Sequence, residues 1–256
     1  MNLNDAFPQL HAQRSPFVLG NIWDVSSARA FESSGYKAIG TSSQAVAMAN
    51  GYEDGEELPF LQLLYLAKKV VEAVRIPFTV DLEGGYARTI NGITENITRL
   101  HDIGVAGINL EDTIAGDTRR FQTPGDFLRI LSAVADHIHK NNLKIFVNIR
   151  TDGFLLGLPN ALEETIRRIK LYQDSGADGI FVPCIVAPAD IREVVNATYL
   201  PVNVMCMPGL PSFDELASLG VKRISMGGFL FHKIGTEIDR LAAAIIKEGN
   251  FSSILC

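Results

Sequence analysis

Four times in this chain a glycine is followed four residues later by an isoleucine at the head of an apolar run. The repeats are Gly35-Tyr-Lys-Ala-Ile39, Gly104-Val-Ala-Gly-Ile108, Gly176-Ala-Asp-Gly-Ile180 and Gly220-Val-Lys-Arg-Ile224. Each glycine follows helical apolar spacing, as in Leu162, Ile166, Ile169 and Tyr172 ahead of Gly176. A helix that stops before a strand commonly ends on a left-handed residue, a conformation glycine adopts without a Cβ clash. The repeats therefore read as four helix-to-strand junctions. Four more short apolar runs, 17–23, 77–81, 144–149 and 201–205, bring the count to eight strands. The pattern predicts strands over 17–23, 38–43, 77–83, 107–112, 144–151, 179–184, 201–206 and 223–228. Eight strands alternating with helices in a chain of this length predict an α/β fold, a (β/α)₈ TIM-type barrel. A doubly wound open sheet is the structural alternative. No linker or low-complexity stretch interrupts 24–228, so 1–256 is read as one domain. After Gly228 a further apolar helix carries Ile238, Leu241, Ile245 and Ile246; it either closes the barrel or packs on a neighbouring subunit.

Bulk properties narrow the partners. A net charge of −6 and a pI near 5.4, with Lys and Arg scattered, argue against a nucleic-acid or anionic-membrane surface. No apolar stretch approaches the ~20 residues of a membrane span. His and Asp within the first fifteen residues occupy the place of a signal peptide's apolar core. The expected location is cytoplasmic. Cys184, Cys206 and Cys256 have no Cys-x-x-Cys spacing and an odd count, so neither a disulfide framework nor a zinc site is indicated, and Cys184 and Cys206, which end apolar runs, are read as small buried residues.

In a barrel the chemistry belongs at the carboxyl ends of the strands. Read end by end, the chain offers Trp23-Asp24, Thr41-Ser42-Ser43, Asp81 with Glu83, Glu111 with Asp112, and Arg150 with Asp152. Acids leaving buried strands must be paired, hydrogen-bonded or bound to a cation. Oxygen ligands without clustered His suit a hard cation, Mg²⁺ or Mn²⁺. The bland reading is a structural network in which Arg150 pairs with Glu111. Arg150 also has the planar fork that holds a carboxylate bidentately. Ser42 and Ser43 either offer hydroxyls and N–H groups to the same anion or merely form a turn.

These residues, in this order, resemble the isocitrate lyase and phosphoenolpyruvate mutase superfamily. The resemblance rests on Asn21-Ile-Trp-Asp24, Thr41-Ser-Ser43, Gly51-Tyr-Glu-Asp-Gly-Glu56, Asp81-Leu-Glu-Gly-Gly-Tyr86, Asn109-Leu-Glu-Asp112, Asn148-Ile-Arg-Thr-Asp152 and Pro208-Gly-Leu-Pro211. It implies a barrel that binds Mg²⁺ and a 2-oxo acid or its enolate, and makes or breaks a C–C or P–C bond. It implies a homodimer or homotetramer that exchanges the last helix. Position by position, it implies Asp81 as direct metal ligand and Asp54, Glu83 and Glu111 as holders of metal-bound water. Ser42, Ser43 and Arg150 are implied as holders of the substrate carboxylate and Asp81 as a further substrate-binding residue, with Arg150, Asp54 and Glu111 as the catalytic group. Glu83 stands where many members carry Asp. The stretch 113–124 lacks the Lys-Lys-Cys-Gly-His-like motif of isocitrate-cleaving members and the Lys-Thr-Asn-Ser of phosphonomutases; it contains neither Cys nor Lys.

The expected activity is therefore Mg²⁺-dependent lysis of a 2-oxo or substituted dicarboxylic acid, with oxaloacetate-like decarboxylation favoured because it asks least of that loop. Hydrolysis or rearrangement at a P–C bond is the alternative. A phosphate-gripping barrel enzyme using Pro208-Gly209 and Gly227-Gly228, and a non-catalytic 2-oxo acid binder, complete the competing readings. Arg119 and Arg120 in the loop are read as closing over a distal anion or as simply solvated.

Overall fold

A computed structural model of the chain describes residues 3–116 and 118–255. Eight parallel strands close into a barrel: β1 (Phe17–Ile22), β2 (Ala38–Thr41), β3 (Phe78–Asp81), β4 (Gly107–Glu111), β5 (Phe146–Arg150), β6 (Gly179–Val182), β7 (Val202–Met205) and β8 (Arg223–Ser225). Each pairs with its sequence neighbours, and β8 closes on β1 with Phe17 opposite Arg223 and Val18 opposite Ile224. The barrel reading is correct, and the open sheet is excluded. All four junction glycines lie in the left-handed region, Gly35 at φ 87°, Gly104 at 99°, Gly176 at 87° and Gly220 at 94°.

The helices are α1 (Leu3–His11), α2 (Val25–Ser33), α3 (Ser43–Ala49), α4 (Phe60–Ala73), α5 (Ile90–Asp102), α6 (Pro124–Lys140), α7 (Ala161–Tyr172), α8 (Pro188–Asn196), α9 (Phe213–Leu219) and α10 (Phe229–Glu248). Local chemistry sets their ends. In α6, Thr123 caps the N-terminus, Pro124 opens the first turn, and His137, His139 and Lys140 sit in the last, favourable against the helix dipole.

Strand alternation sorts the side chains into two cores. Ile108, Leu110, Val147, Ile149, Ile180, Val182, Val202, Val204 and Ile224 face outward into the helix layer, in one continuous apolar cluster. The intervening positions face the barrel axis and are strongly polar. Asn148 Nδ2 donates to Asn109 Oδ1 at 2.9 Å, and Asn203 Nδ2 donates to the Arg223 carbonyl at 3.2 Å. Above this asparagine layer stand the strand ends; below it lies a plug.

The plug is α1, which sequence periodicity did not single out. Phe7 packs edge-on against Phe17 and Phe146, with ring centroids 6.1 and 5.3 Å apart, and His11 stacks on Phe146 at 4.3 Å. Asn4 Nδ2 ties the helix to the carbonyls of Val105 and Lys144. Burial, with Arg223 nearby, pulls the His11 pKa down to about 3, so the ring is neutral.

One expectation needs correction, and one of the two readings of the tail helix falls away. Cys184 and Cys206 are half-buried, not core residues, and Cys184 takes a left-handed φ of 64°. Cys256 lies outside the described residues. The tail helix α10 does not close its own barrel: none of its twenty residues is buried. No helix among the described residues is long and apolar enough to cross a membrane.

Candidate active site

A cavity of about 540 Å³ opens at the carboxyl ends of the strands, lined by Asn21, Ser42, Ser43, Asp54, Asp81 and Arg150 among others. Asp81 ends β3, its N–H donating to Thr41 Oγ1 at 2.8 Å, which locks the ends of β2 and β3 together. Arg150 ends β5 directly opposite Glu111 in the β4–β5 register. Its Nη1 lies 3.1 Å from Glu111 Oε2 and 3.9 Å from Asp81 Oδ2, and its Nε donates to Asp152 Oδ1 at 2.7 Å. The pairing of Arg150 with Glu111 expected of a structural network is present, yet the same guanidinium borders the cavity.

Glu83 reaches this group by a different route from the one the sequence suggests. The strand stops at Asp81, and Glu83 takes a left-handed φ of 48°, so pleat alternation does not place it. Glu56 and Tyr86, both also left-handed, hold it there: the Glu56 N–H and the Tyr86 hydroxyl donate to Glu83 Oε1 at 3.2 and 3.0 Å. Three non-glycine residues in this sparsely populated region, on one side of one site, are strain maintained by surrounding contacts.

Ser42 is the N-cap of α3: its Oγ accepts from the Ala45 N–H at 3.3 Å, and its own N–H donates to the Ile22 carbonyl. The Ser42 N–H is thus committed to the strand end, a correction to the reading that it serves an anion. Its hydroxyl proton, with Ser43, remains at the cavity wall.

Asp112 departs from the converging acids because it follows the outward register of Ile108 and Leu110. There it meets Arg168 of α7 at 3.1 Å and accepts from Thr151 Oγ1 at 2.8 Å. Arg168 also donates to the Gln122 carbonyl and lies 3.6 Å over the Phe121 ring, so this buried pair anchors the end of the 113–124 segment. The segment itself forms a hairpin, Thr113–Ile114 against Arg120–Phe121.

The hairpin brings in the residue the sequence placed least well. Arg119 does not reach outward; Nη1 bonds Glu111 Oε1, accompanied by Thr113 Oγ1 at 3.0 Å and Asp152 Oδ2 at 3.5 Å. Its Nη2 lies 4.0 Å from both Asp54 Oδ2 and Glu83 Oε2. Arg120 is exposed. The predicted residues Ser42, Ser43, Asp54, Asp81, Glu83, Glu111 and Arg150 are therefore brought together, joined by Asp152, read from the end of its strand, and by Arg119, which the sequence reading left over a distal anion or in solvent.

Burial raises the pKa values of Asp81, Glu83 and Glu111. Asp81 is raised by desolvation, partly offset by Arg150. Glu83 is pushed well above the usual range by desolvation and by repulsion from Asp54, Asp81 and Glu111. Glu111 rises to about 7, desolvation outweighing Arg150. The mutual repulsion of these acids is relieved by a further cation.

Barrel and site together define an enzyme of the (β/α)₈ class with an acid-and-arginine centre over the strand ends. The family model of phosphoenolpyruvate phosphomutase matches residues 7–246, and the chain belongs to that family. An uncharacterized protein of Mycobacterium tuberculosis strain H37Rv is 36% identical over 244 residues, 95% of this chain and 90% of that protein. Oxaloacetate decarboxylase 1 of Pseudomonas fluorescens is 27% identical over 255 residues, 94% of this chain and 84% of its own. The crystal structure of a provisionally named phosphonomutase from Burkholderia cenocepacia superposes with a TM-score of 0.89 at 34% identity, covering 94% of this chain and 99% of that one. The resemblance drawn from the motifs is thereby established.

Family members use a divalent metal and act on small-molecule substrates. Among the described residues no three His, Cys, Asp or Glu side chains stand close enough together to hold an ion as they are. The donors nonetheless fit one. Asp81 Oδ1, Glu83 Oε2 and Glu111 Oε2 are buried and accept no hydrogen bond, although the last lies within ion-pair range of Arg150. Asp81 Oδ1 is orphaned outright, Glu83 Oε2 and Glu111 Oε2 each have only an arginine in ion-pair range, and all three are hard donors of the kind Mg²⁺ or Mn²⁺ takes.

Proposed function

We propose that this protein is a Mg²⁺-dependent carbon–carbon lyase acting on a 2-oxo dicarboxylic acid, with decarboxylation of an oxaloacetate-like substrate as its reaction. One observation carries the reading: Arg150 is pinned by Asp152 and Glu111 yet borders the cavity beside Asp81, Ser42 and Ser43. Asp81 is assigned as direct metal ligand, with Asp54, Glu83 and Glu111 holding its waters; Mn²⁺ satisfies the same donors. A bound divalent cation would supply Lewis acidity toward the 2-oxo oxygen and the adjoining carboxylate.

The remaining work belongs to the chain. The Arg150 fork and the Ser42 and Ser43 hydroxyls bind the carboxylate next to the oxo group. When the bond to the distal carboxylate breaks, carbon dioxide leaves, the electron pair moves toward the oxo oxygen, and a proton taken up from solvent at the former methylene carbon completes the 2-oxo acid product. The fixed Arg150 charge stabilises the negative charge developing there. Leu155, Leu156, Phe181 and Pro183 line the cavity and limit water. Decarboxylation fits because residues 113–124 contain neither Cys nor Lys. Burial also raises the pKa of the Cys184 thiol, and Cys206 lines a different groove.

The phosphonomutase designation of the Burkholderia cenocepacia structure supports a second reading, attack at a P–C bond. A Mg²⁺-dependent product assay with oxaloacetate, methylisocitrate, dimethylmalate and phosphonopyruvate side by side separates them. Pyruvate from oxaloacetate, well above the rate of Mg²⁺ alone, is the expected result. Turnover of phosphonopyruvate only would replace the lyase reading with the P–C one.

The chain is further assigned to a homodimer or homotetramer built through α10, with 1–256 as a single barrel domain. Ile234, Ile238 and Ile246 are exposed along that helix, and Phe251, Ile254 and Leu255 continue the apolar surface. An apolar groove of about 860 Å³, lined by Phe17, Val18, Tyr36, Ile224 and Leu230, offers a second copy's helix a seat on the barrel. Ile238→Asp is expected to shift the mass measured by light scattering from oligomer toward monomer; an unchanged mass would contradict this arrangement.

A further inference from the structure

We infer that Arg119 is a resident counter-ion of the acid cluster, which a divalent cation must displace, so that metal loading and the position of the 113–124 hairpin are coupled. The inference rests on the metal-site reading above.

The guanidinium stands among four carboxylates from four separate segments: Asp54, Glu83, Glu111 and Asp152. Three of these are the acids assigned to hold metal-bound water. Glu83 and Glu111 are almost completely buried and each retains an oxygen without a hydrogen-bond partner. A hydrated divalent cation and a guanidinium serving the same carboxylates compete for one field, and at Glu83 Oε2 for one oxygen. Arg119 is suited to vacate: it comes from a two-stranded hairpin, whereas Arg150 is fixed on a barrel strand and bound through Nε and Nη2 to Asp152. The hairpin's far end stays held by Arg168, which grips the Gln122 carbonyl and stacks on Phe121. Displacement therefore releases the Arg119 side chain while Phe121 and Gln122 stay in place.

The competition has a thermodynamic signature. A cation that binds only the undocked state has its apparent affinity lowered by the fraction of molecules in which Arg119 is docked. Removing the guanidinium removes that reduction.

The test compares Mg²⁺ binding by calorimetry in the parent, Arg119→Gln and Arg119→Lys, with Arg120→Gln as control. The control removes the same charge one residue away, from an exposed side chain. Arg119→Gln is expected to bind Mg²⁺ at least tenfold more tightly than the parent, Arg119→Lys in between, and Arg120→Gln like the parent. Limited trypsin digestion gives an independent readout: cleavage after Arg119 in the parent should accelerate when Mg²⁺ is added without substrate. Equal Mg²⁺ affinity in the parent and Arg119→Gln, with no change in cleavage, would overturn the counter-ion role and leave the metal site standing. Weaker binding by Arg119→Gln would make Arg119 a supporter of the bound ion and overturn the proposal. No Mg²⁺ binding by any variant would overturn the metal-site reading and this inference with it.

Discussion

Arg150→Lys is expected to lose at least ~100-fold in kcat/KM, about 2.7 kcal/mol of transition-state stabilisation, while the protein still folds. The ammonium keeps the charge but loses the fork. Arg150 simultaneously bonds Asp152 through Nε and Nη2, approaches Glu111 and Asp81 through Nη1, and faces the cavity. Lysine's single nitrogen cannot satisfy Asp152 and Glu111 and still present a planar pair of donors to a carboxylate. Because the fork grips a carboxylate present in the ground state and the transition state alike, the loss should appear in KM as well as in kcat. Kinetics within twofold of the parent would reduce Arg150 to a structural ion pair.

The second large effect concerns Asp81. Asp81→Ala is expected to weaken Mg²⁺ binding by a factor on the order of 100 or more, since losing even an outer-shell partner typically costs 10–100-fold. The variant should fold. Asp81 Oδ1 has no hydrogen-bond partner to lose, and the backbone N–H that ties it to Thr41 remains. Removing one buried carboxylate also relieves the repulsion that raises the Glu83 and Glu111 pKa values. A variant as stable as the parent or more so, yet unable to hold the ion, would separate a ligand from a core residue. Unchanged Mg²⁺ affinity would move the metal site elsewhere.

Much of this was legible in the sequence for definite physical reasons. The Gly-x-x-x-Ile repeats announce the barrel because a helix ending in a left-handed residue needs glycine, and four such stops fix the phase of the remaining strands. Residues on strand ends, Asp81, Glu111 and Arg150, were placed correctly because strand order alone brings those ends together. What failed depended on side-chain direction or on distant partners. Asp112 reads like Glu111 until alternation is applied: with Ile108 and Leu110 outward, Asp112 must also be outward, and a partner such as Arg168 becomes necessary. Arg119 carries no local signal, since its place is set by acids from segments as far apart as 54 and 152. Glu83 stands in the site through a left-handed turn held by Glu56 and Tyr86, which a strand pattern does not report. The plug helix α1 is anchored by Asn4 and Phe7, contacts that exist only once the barrel has closed.

The most direct test of the central claim is anomalous scattering from a crystal grown with Mn²⁺ and oxalate, a planar dicarboxylate that mimics an enolate acid. The account predicts one strong peak in direct coordination range of Asp81, with oxalate completing the shell toward Arg150 and the Ser42 and Ser43 hydroxyls. A peak remote from Asp81, or oxalate bound at Arg150 with no metal beside it, would contradict it.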